Sequence, residues 1–192
     1  DQGMFLGEHD YQDKRWSFEE SLRTPLLIRY PREIPAHTNC TELMANIDIA
    51  PTLLDYAEIS IPENMQGISC RNMIAGKPQE EYHKGIYFRY WMHLAHQHDN
   101  PAHYGVRTKD YKLTFYYGLA LDAEGAVDKP TQPGWELYDL QKDPSELKNV
   151  YEDPAYYEIR EELKGLLCEL KEKYQDQDEA YVELQRTFEK YK

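Results

Sequence analysis

The chain has 192 residues, of which 41% are hydrophobic and 13% aromatic, and this composition indicates a folded protein rather than a disordered one. Its formal net charge of −13 makes nucleic acid and anionic membrane surfaces unfavourable partners, because like charges repel. No apolar run approaches the roughly 20 residues that span a bilayer, so we expect no membrane span.

Residues 1–16 are predicted to form a loop that follows the end of a strand. Within it, Asp1 and Gln2 offer two oxygen donors beside a flexible glycine, and hard oxygen donors are what a divalent cation binds. Lys14 follows a dozen residues later in a segment rich in turn formers, so it can return to the same place as a fixed positive charge. Because Asp1 opens the chain without a Met or a preceding strand, we expect the chain to be a fragment.

Three elements are predicted between residues 16 and 57. Residues 16–23 are predicted to form a short helix that ends before Pro25. Residues 26–30 are almost entirely apolar, which is typical of a strand buried on both faces of a sheet. Asp48 is a predicted N-cap for a helix over residues 49–57. A strand, a loop and a helix in this order indicate the closing part of an α/β sandwich.

The pattern changes after about residue 80. Residues 85–91, 111–117 and 135–140 are rich in aromatic or alternating residues and are predicted to be strands; 111–117 has the alternation of a half-buried antiparallel strand. Asp153-Pro154 then opens a predicted helix. Its apolar stripe consists of Ile159, Leu163, Leu166, Leu167 and Leu170. We therefore predict that residues 1–80 are the C-terminal segment of an α/β domain, and that residues 81–192 are a small α+β subdomain made of an antiparallel sheet and one amphipathic helix.

Residues 83–112 form a second candidate functional region. Five of the seven histidines lie here, among basic and aromatic side chains: His83, His93, His96, His98 and His103. Cationic and imidazole groups beside aromatic rings suit a sulfated sugar, which offers an anion, hydroxyls and an apolar ring face. We favour His103, His98 and Arg107 as substrate-binding residues. A transition-metal site at His93, His96 and His98, or a solvated loop between strands, are the alternatives.

Several motifs in the chain occur together in one known family. In chain order they are Asp1-Gln2-Gly3, Gly7-Glu8-His9, Asp13-Lys14-Arg15, Glu19-Glu20-Ser21-Leu22-Arg23-Thr24-Pro25-Leu26, Asp48-Ile49-Ala50-Pro51-Thr52-Leu53-Leu54-Asp55, Tyr104-Gly105-Val106-Arg107-Thr108 and Glu136-Leu137-Tyr138-Asp139-Leu140. This arrangement strongly resembles the C-terminal half of type I sulfatases, which belong to the alkaline phosphatase superfamily. The resemblance implies an α/β fold, in which this chain is the closing segment of an alkaline-phosphatase-like α/β sandwich followed by the small α+β subdomain.

The resemblance also implies roles for individual residues. Asp1 and Gln2 would hold a calcium ion together with two acidic residues located upstream. Lys14 would contact the sulfate and its bridging oxygen. His9 would contact the substrate or leaving group, or would hydrogen-bond the metal-site loop.

The nucleophile that the resemblance implies is absent from this chain. It is a formylglycine made from the first residue of a Cys/Ser-x-Pro-x-Arg motif, and none of the three cysteines is followed by that pattern. The formylglycine and the remaining calcium ligands are therefore expected in a missing N-terminal domain. We predict that this chain alone is inactive.

The resemblance thus predicts a sulfatase that hydrolyses sulfate esters, and the composition of residues 83–112 favours a sulfated carbohydrate as its substrate. By analogy with the family, a 6-O-sulfated hexosamine is the expected substrate, and a periplasmic, secreted or lysosomal enzyme is expected. Two alternatives remain open at this point. They are a phosphoester or phosphonate-ester hydrolase of the same superfamily, and a non-catalytic domain.

Overall fold

The computed structural model describes residues 2–78, 82–176 and 178–192, and the chain divides into two compact units. The sheet unit comprises Asp1–Pro25 and Tyr87–Lys192, and the insert unit comprises Leu26–Ile86. The helices and strands in chain order are β1 (Phe5–Leu6), β2 (Gln12–Asp13), α1 (Glu19–Leu22), α2 (Ile49–Tyr56), α3 (Arg71–Ile74), β3 (Ile86–Tyr90), β4 (His103–Arg107), β5 (Tyr111–Tyr116), β6 (Gly134–Asp139), α4 (Tyr157–Lys173) and α5 (Val182–Tyr191). No helix in the described ranges is both long and apolar enough to cross a membrane.

The division into units differs from a simple boundary at residue 80. The predicted boundary at residue 80 lies close to residue 87, where the longer segment of the sheet unit begins. Residues 1–25, however, group with residues 87–192 rather than with residues 26–80. Their aromatic side chains explain this grouping, because Phe18 packs against Tyr138 of β6 with ring centroids 5.8 Å apart. The assignment of residues 1–80 to a catalytic domain of the whole enzyme stays a prediction.

Four strands form the main sheet in the order β3-β4-β5-β6, and β4, β5 and β6 pair antiparallel. The predicted strands over 85–91, 111–117 and 135–140 are thereby confirmed as β3, β5 and β6. Strand β4 was not predicted, and its central residue is Gly105. A Cβ there would lie 2.3 Å from the carbonyl oxygen of Leu113 and 2.5 Å from Phe88, so the glycine permits the close approach of the neighbouring strands.

One face of the sheet is apolar and packs on α4 and α5. The fully buried strand residues include Tyr104, Leu113 and Phe115, which belong to the same cluster as Leu167 of α4. The predicted apolar stripe of α4 is confirmed, because its leucines are buried or partly buried in this cluster. Burying each leucine contributes on the order of 1.5–3 kcal/mol. Leu184 of α5 is also fully buried in this cluster.

The opposite face of the sheet is polar and is covered by residues 1–25. Ser17 Oγ lies 3.0 Å from Tyr116 Oη, and Thr114 Oγ1 donates to Ser17 Oγ at 3.1 Å. Lys112 is on the same face and is fully buried. The prediction that β5 is half-buried is therefore wrong, because this N-terminal segment removes the second face from solvent.

The insert unit corrects two further expectations. Residues 26–30 form no strand, and Leu27 is 96% exposed. An apolar run becomes a strand only where neighbouring strands accept its backbone hydrogen bonds, and no strand among the described residues does so. Asp48 does not cap α2 with its side chain. Its buried carboxylate accepts from the backbone of Ala45 and Ile68 and lies 2.8 Å from His83 Nε2.

Candidate functional site

A cavity of about 210 Å³ in the sheet unit brings together three of the predicted site residues. Its lining consists of Gln2, Lys14, Arg15, Leu22, Phe88, Arg89, Tyr90 and His103. The N-terminal loop thus faces the ends of β3 and β4, although about 90 residues of sequence separate them. Gln2 and Lys14, which were predicted together, and His103, which was predicted on separate grounds, line one cavity.

The N-terminal loop is held against α1 by a close backbone contact. Gly3 N donates to the carbonyl oxygen of Ser21 at 2.8 Å. A Cβ on Gly3 would lie 2.0 Å from the carbonyl oxygen of Glu20 and 2.6 Å from that of Arg23. Only glycine fits this position, so the glycine of the Asp-Gln-Gly motif brings Gln2 against the helix.

Gln2 has a side chain suited to binding a hard cation. Its Nε2 donates to Ser21 Oγ at 3.2 Å, and this arrangement leaves the amide oxygen available as a ligand of the kind that calcium prefers. Asp1, the other predicted ligand in the chain, lies outside the described residues. In the part of the chain that the structure describes, no group of three or more His, Cys, Asp and Glu side chains could hold a metal ion. The residues present therefore fit a contribution to a calcium site rather than a complete one.

The segment that carries Lys14 has an unusual backbone. His9, Asp10, Asp13 and Arg15 all have positive φ, with values of 55°, 60°, 70° and 106°. Residues other than glycine rarely adopt a positive φ. Such backbone strain is typical of functional loops that the surrounding structure holds in place. At Arg15 the support is visible, because its backbone N donates to Ser21 Oγ at 3.0 Å. The Lys14 side chain lines the cavity from this loop.

His98 reaches the same region through an acidic residue. Its Nε2 lies 3.4 Å from Asp13 Oδ2, and Asp13 also forms an ion pair with Arg15. His98 is 34% exposed and is absent from the cavity lining, so its link to the site is through Asp13, the residue before Lys14.

His103 is buried at the wall of the cavity and is neutral at neutral pH. Its ring lies 5.4 Å from that of Tyr90 at 26° and 4.9 Å from that of Tyr116. Burial lowers the pKa of the imidazole from 6.5 to about 4. Nδ1 lies 2.8 Å from the carbonyl oxygen of Pro101, which can only accept. The proton of the neutral ring is therefore assigned to Nδ1, and Nε2 is left as a hydrogen-bond acceptor.

Two further predicted residues, besides His98, are not part of the cavity lining. His9 stacks on Phe18 with ring centroids 4.0 Å apart, and its Nε2 lies 3.6 Å from Glu20 Oε2. Arg107 Nη2 donates to Glu19 Oε2 at 3.0 Å. Because four strand residues span about 13 Å, Arg107 stands at the far end of β4 from His103. The structure does not bring Arg107 to the site, since its guanidinium is bound to α1.

The alternative of a transition-metal site at His93, His96 and His98 is not supported by the geometry. Both ring nitrogens of His93 are occupied: Nδ1 accepts from Ala102 N at 3.0 Å, and Nε2 lies 3.0 Å from the carbonyl oxygen of Lys129. His98 instead lies beside Asp13. A metal ligand needs a free lone pair, and the protonated Nε2 of His93 has none.

Sequence reasoning missed two functional candidates. Tyr90 lines the cavity, and its buried hydroxyl has no hydrogen-bond partner among the described residues. Ser21 hydrogen-bonds the lining residues Gln2 and Arg15, but it was assigned no role beyond its place in a family motif, because serine in a short helix is commonplace. Arg89 also lines the cavity, but its guanidinium packs 3.4 Å from the ring of Trp91 and bonds to Asp176.

The chain is similar to known proteins in sequence and in fold. The family model described as N-sulphoglucosamine sulphohydrolase, C-terminal, matches residues 7–173. An N-acetylglucosamine-6-O-sulfatase from Bacteroides thetaiotaomicron is 38% identical over 180 residues, which cover 93% of this chain and 30% of that protein. An arylsulfatase from Clostridium perfringens is 31% identical over 188 residues, with 95% and 34% coverage.

The fold is similar to that of a solved protein in complex with its substrate D-glucosamine-2-N,6-O-disulfate. The TM-score is 0.81 and the sequence identity 37%, and the match covers 94% of this chain and 34% of that one. The chain therefore spans about a third of the length of the relatives that it matches.

Proposed function

Because this chain belongs to the sulfatase family and forms the C-terminal part of such an enzyme, we propose that the whole enzyme hydrolyses 6-O-sulfate esters of glucosamine units in sulfated glycans. The main observation that supports the proposal is that Gln2, Lys14 and His103 line one cavity. The substrate class is supported by two similar proteins, one named an N-acetylglucosamine-6-O-sulfatase and one solved with a glucosamine disulfate. A glycan substrate favours a periplasmic, secreted or lysosomal enzyme.

Lys14 is the residue that this chain offers to the sulfate group. Hydrolysis of a sulfate ester develops negative charge on the bridging and equatorial oxygens, and an ammonium group held at the cavity wall stabilises that charge. The loop that carries Lys14 is supported at the Arg15 backbone, so the charge is in place before the reaction. Lys14 therefore acts as an electrostatic stabiliser and a positioning group for the sulfate.

Gln2, together with Asp1, would hold a calcium ion, and the other ligands would come from parts of the enzyme outside this chain. When bound, the ion supplies Lewis-acid stabilisation of the sulfate oxygens. The nucleophile would be a formylglycine, also outside this chain. What this chain provides is an amide oxygen whose nitrogen is already bonded to Ser21.

The sugar side of the site is formed by β3, β4 and the segment before β4. His103 Nε2 is an acceptor for a sugar hydroxyl, and the ring of Tyr90, which also lines the cavity, lies 5.4 Å from the imidazole. The rings of Phe88 and Tyr90 provide apolar surface for a pyranose face. Asp13 and His98 add polar groups next to the segment that carries Lys14.

The proposal is tested with the complete enzyme after mass analysis has established the formylglycine. Sulfate release is measured from N-acetylglucosamine 6-sulfate and 4-nitrophenyl sulfate, and hydrolysis of a phosphonate monoester is measured in parallel. We expect the highest kcat/KM for the sulfated sugar and no turnover by the isolated chain. Preferential hydrolysis of the phosphonate ester would support a phosphohydrolase, and a complete enzyme that turns over none of the three would support the non-catalytic alternative.

A further inference from the structure

Ser21 is a buried residue that contacts both functional segments of the N-terminal loop. Its side chain is fully buried in α1. Ser21 Oγ accepts from Gln2 Nε2 at 3.2 Å and from Arg15 N at 3.0 Å, and its carbonyl oxygen accepts from Gly3 N at 2.8 Å. One residue therefore joins the segment with the predicted metal ligand to the segment with Lys14.

The two hydrogen bonds to Ser21 Oγ have different consequences. The amide of Gln2 is nearly symmetric in shape, so either its oxygen or its nitrogen could face a cation, but only the oxygen has a lone pair to bind it. A hydrogen bond from Nε2 to Ser21 Oγ turns the oxygen away from Ser21. The bond from Arg15 N supports a residue whose φ of 106° is unfavourable for a side chain, directly after Lys14.

We propose that Ser21 is a positioning residue for the calcium site: its hydroxyl holds the Gln2 amide with the oxygen directed at the cation, and it fixes the Lys14-Arg15 peptide beside that ligand. This inference rests on the proposed function, because it assumes that Gln2 binds calcium. Ser21 does not touch the substrate, and its effect acts through Gln2 and Arg15.

Ser17 provides a matched control for the loss of a buried hydroxyl. It is also fully buried and lies four residues earlier in the chain. Its Oγ bonds to Tyr116 and Thr114 of the sheet, not to the N-terminal loop. Removing either hydroxyl therefore leaves buried polar groups unpaired, but only Ser21→Ala releases the Gln2 amide.

The test measures calcium affinity by titration calorimetry on the complete enzyme after the metal has been removed with a chelator. Partners that orient a metal ligand typically contribute about 10–100-fold to metal affinity. We expect Ser21→Ala to weaken calcium binding by at least about tenfold and Ser21→Cys, a poorer acceptor, to lie between it and the wild type. Ser17→Ala should change the affinity less than about twofold, because it leaves Gln2 in place.

A double-mutant cycle separates positioning from general damage to the fold. Gln2 is exposed, so Gln2→Ala should fold, and in that background Ser21→Ala should weaken calcium binding no further than about twofold. Full additivity of the two changes, or equal effects of Ser21→Ala and Ser17→Ala, would overturn the role of Ser21. If Gln2→Ala itself leaves the affinity unchanged, the proposed metal role of Gln2 fails, and the inference fails with it. Melting temperatures without calcium establish that each variant is folded.

Discussion

Lys112 Nζ lies 2.7 Å from Glu146 Oε1, and neither side chain is exposed to solvent. The same ammonium lies 2.9 Å from Glu19 Oε1, and Glu146 Oε2 accepts from the backbone N of Glu19 at 2.7 Å. Glu19 is the first residue of α1, the helix that holds Gln2 through Ser21. The ion pairs of Lys112 therefore determine the position of α1, the helix that contacts Gln2.

Lys112→Met should destabilise the enzyme strongly, because it leaves the buried carboxylate of Glu146 and the partly buried carboxylate of Glu19 without their shared cation. Breaking one partner of a buried ion pair typically costs about 3–5 kcal/mol. Lys142→Met is the control, since Lys142 also pairs with a carboxylate, at 2.9 Å, but is 73% exposed, and exposed ion pairs contribute little to stability because solvent screens them. We expect a much lower melting temperature for Lys112→Met only. Similar melting temperatures for the two variants would contradict a structural role for the buried cluster.

Gly3→Ala should displace the N-terminal loop from α1, because the added Cβ would lie 2.0 Å from the carbonyl oxygen of Glu20. We expect loss of calcium binding and of activity by at least about tenfold, since the ligand segment must shift. Gly165→Ala is the matched control. No atom lies within 4 Å of its Cβ position in α4, so this substitution should stabilise the helix by about 0.5–1 kcal/mol. Normal calcium binding by Gly3→Ala would show that the close contact is unimportant.

Lys14→Ala should lower kcat by about 10²–10³, which is the usual effect of removing one group that stabilises transition-state charge. The melting temperature should change little, because Lys14 lines a cavity rather than the core. Lys14→Arg should restore only part of the rate, since a planar guanidinium cannot replace a compact ammonium. Lys148→Ala, at an exposed position, controls for loss of one charge. A Lys14→Ala enzyme with unchanged kcat would refute the electrostatic role.

His103→Gln should separate sugar recognition from chemistry. We expect kcat/KM for N-acetylglucosamine 6-sulfate to fall about 10–100-fold, because a buried acceptor for a sugar hydroxyl is displaced. The value for 4-nitrophenyl sulfate, which has no such hydroxyl, should fall less than about threefold. Parallel losses on both substrates would assign His103 to the fold rather than to substrate recognition.

The buried imidazole of His103 also predicts how stability depends on pH. Burial lowers its pKa to about 4 in the folded protein, whereas the unfolded imidazole titrates near 6.5. The unfolded state therefore binds an additional proton between these values. This difference in proton binding contributes up to about 3 kcal/mol to the free energy of unfolding. The contribution is fully present above pH 6.5 and is lost as the pH falls through 4.

The melting temperatures of wild type and His103→Gln at several pH values test this dependence. The advantage of the wild type at pH 7.5 should shrink steadily down to pH 4.5, because only the wild type carries this titrating group. A difference that stays constant across this range would place the pKa of His103 near that of a free imidazole.

The sequence determined the family, the predicted site residues in the N-terminal loop, and the elements with a local signal. Strand β5 alternates, and α4 repeats its leucines at helical spacing, so both follow from neighbouring residues alone. Gln2, Lys14 and His103 could be proposed because their residue types and motifs match the required chemistry.

Only the tertiary structure decided which of these residues meet. His103 lines the same cavity as Gln2 and Lys14, whereas Arg107 is bound to Glu19. Lys112 is buried, although the sequence of its strand suggests that this face is exposed. Residues 26–30 look like a strand but form none, because strand formation depends on partners that a local pattern does not contain. Burial, strand pairing and support by residues such as Ser21 depend on contacts between segments that are distant in the sequence. A periodic pattern carries information only about residues that are close together in the sequence.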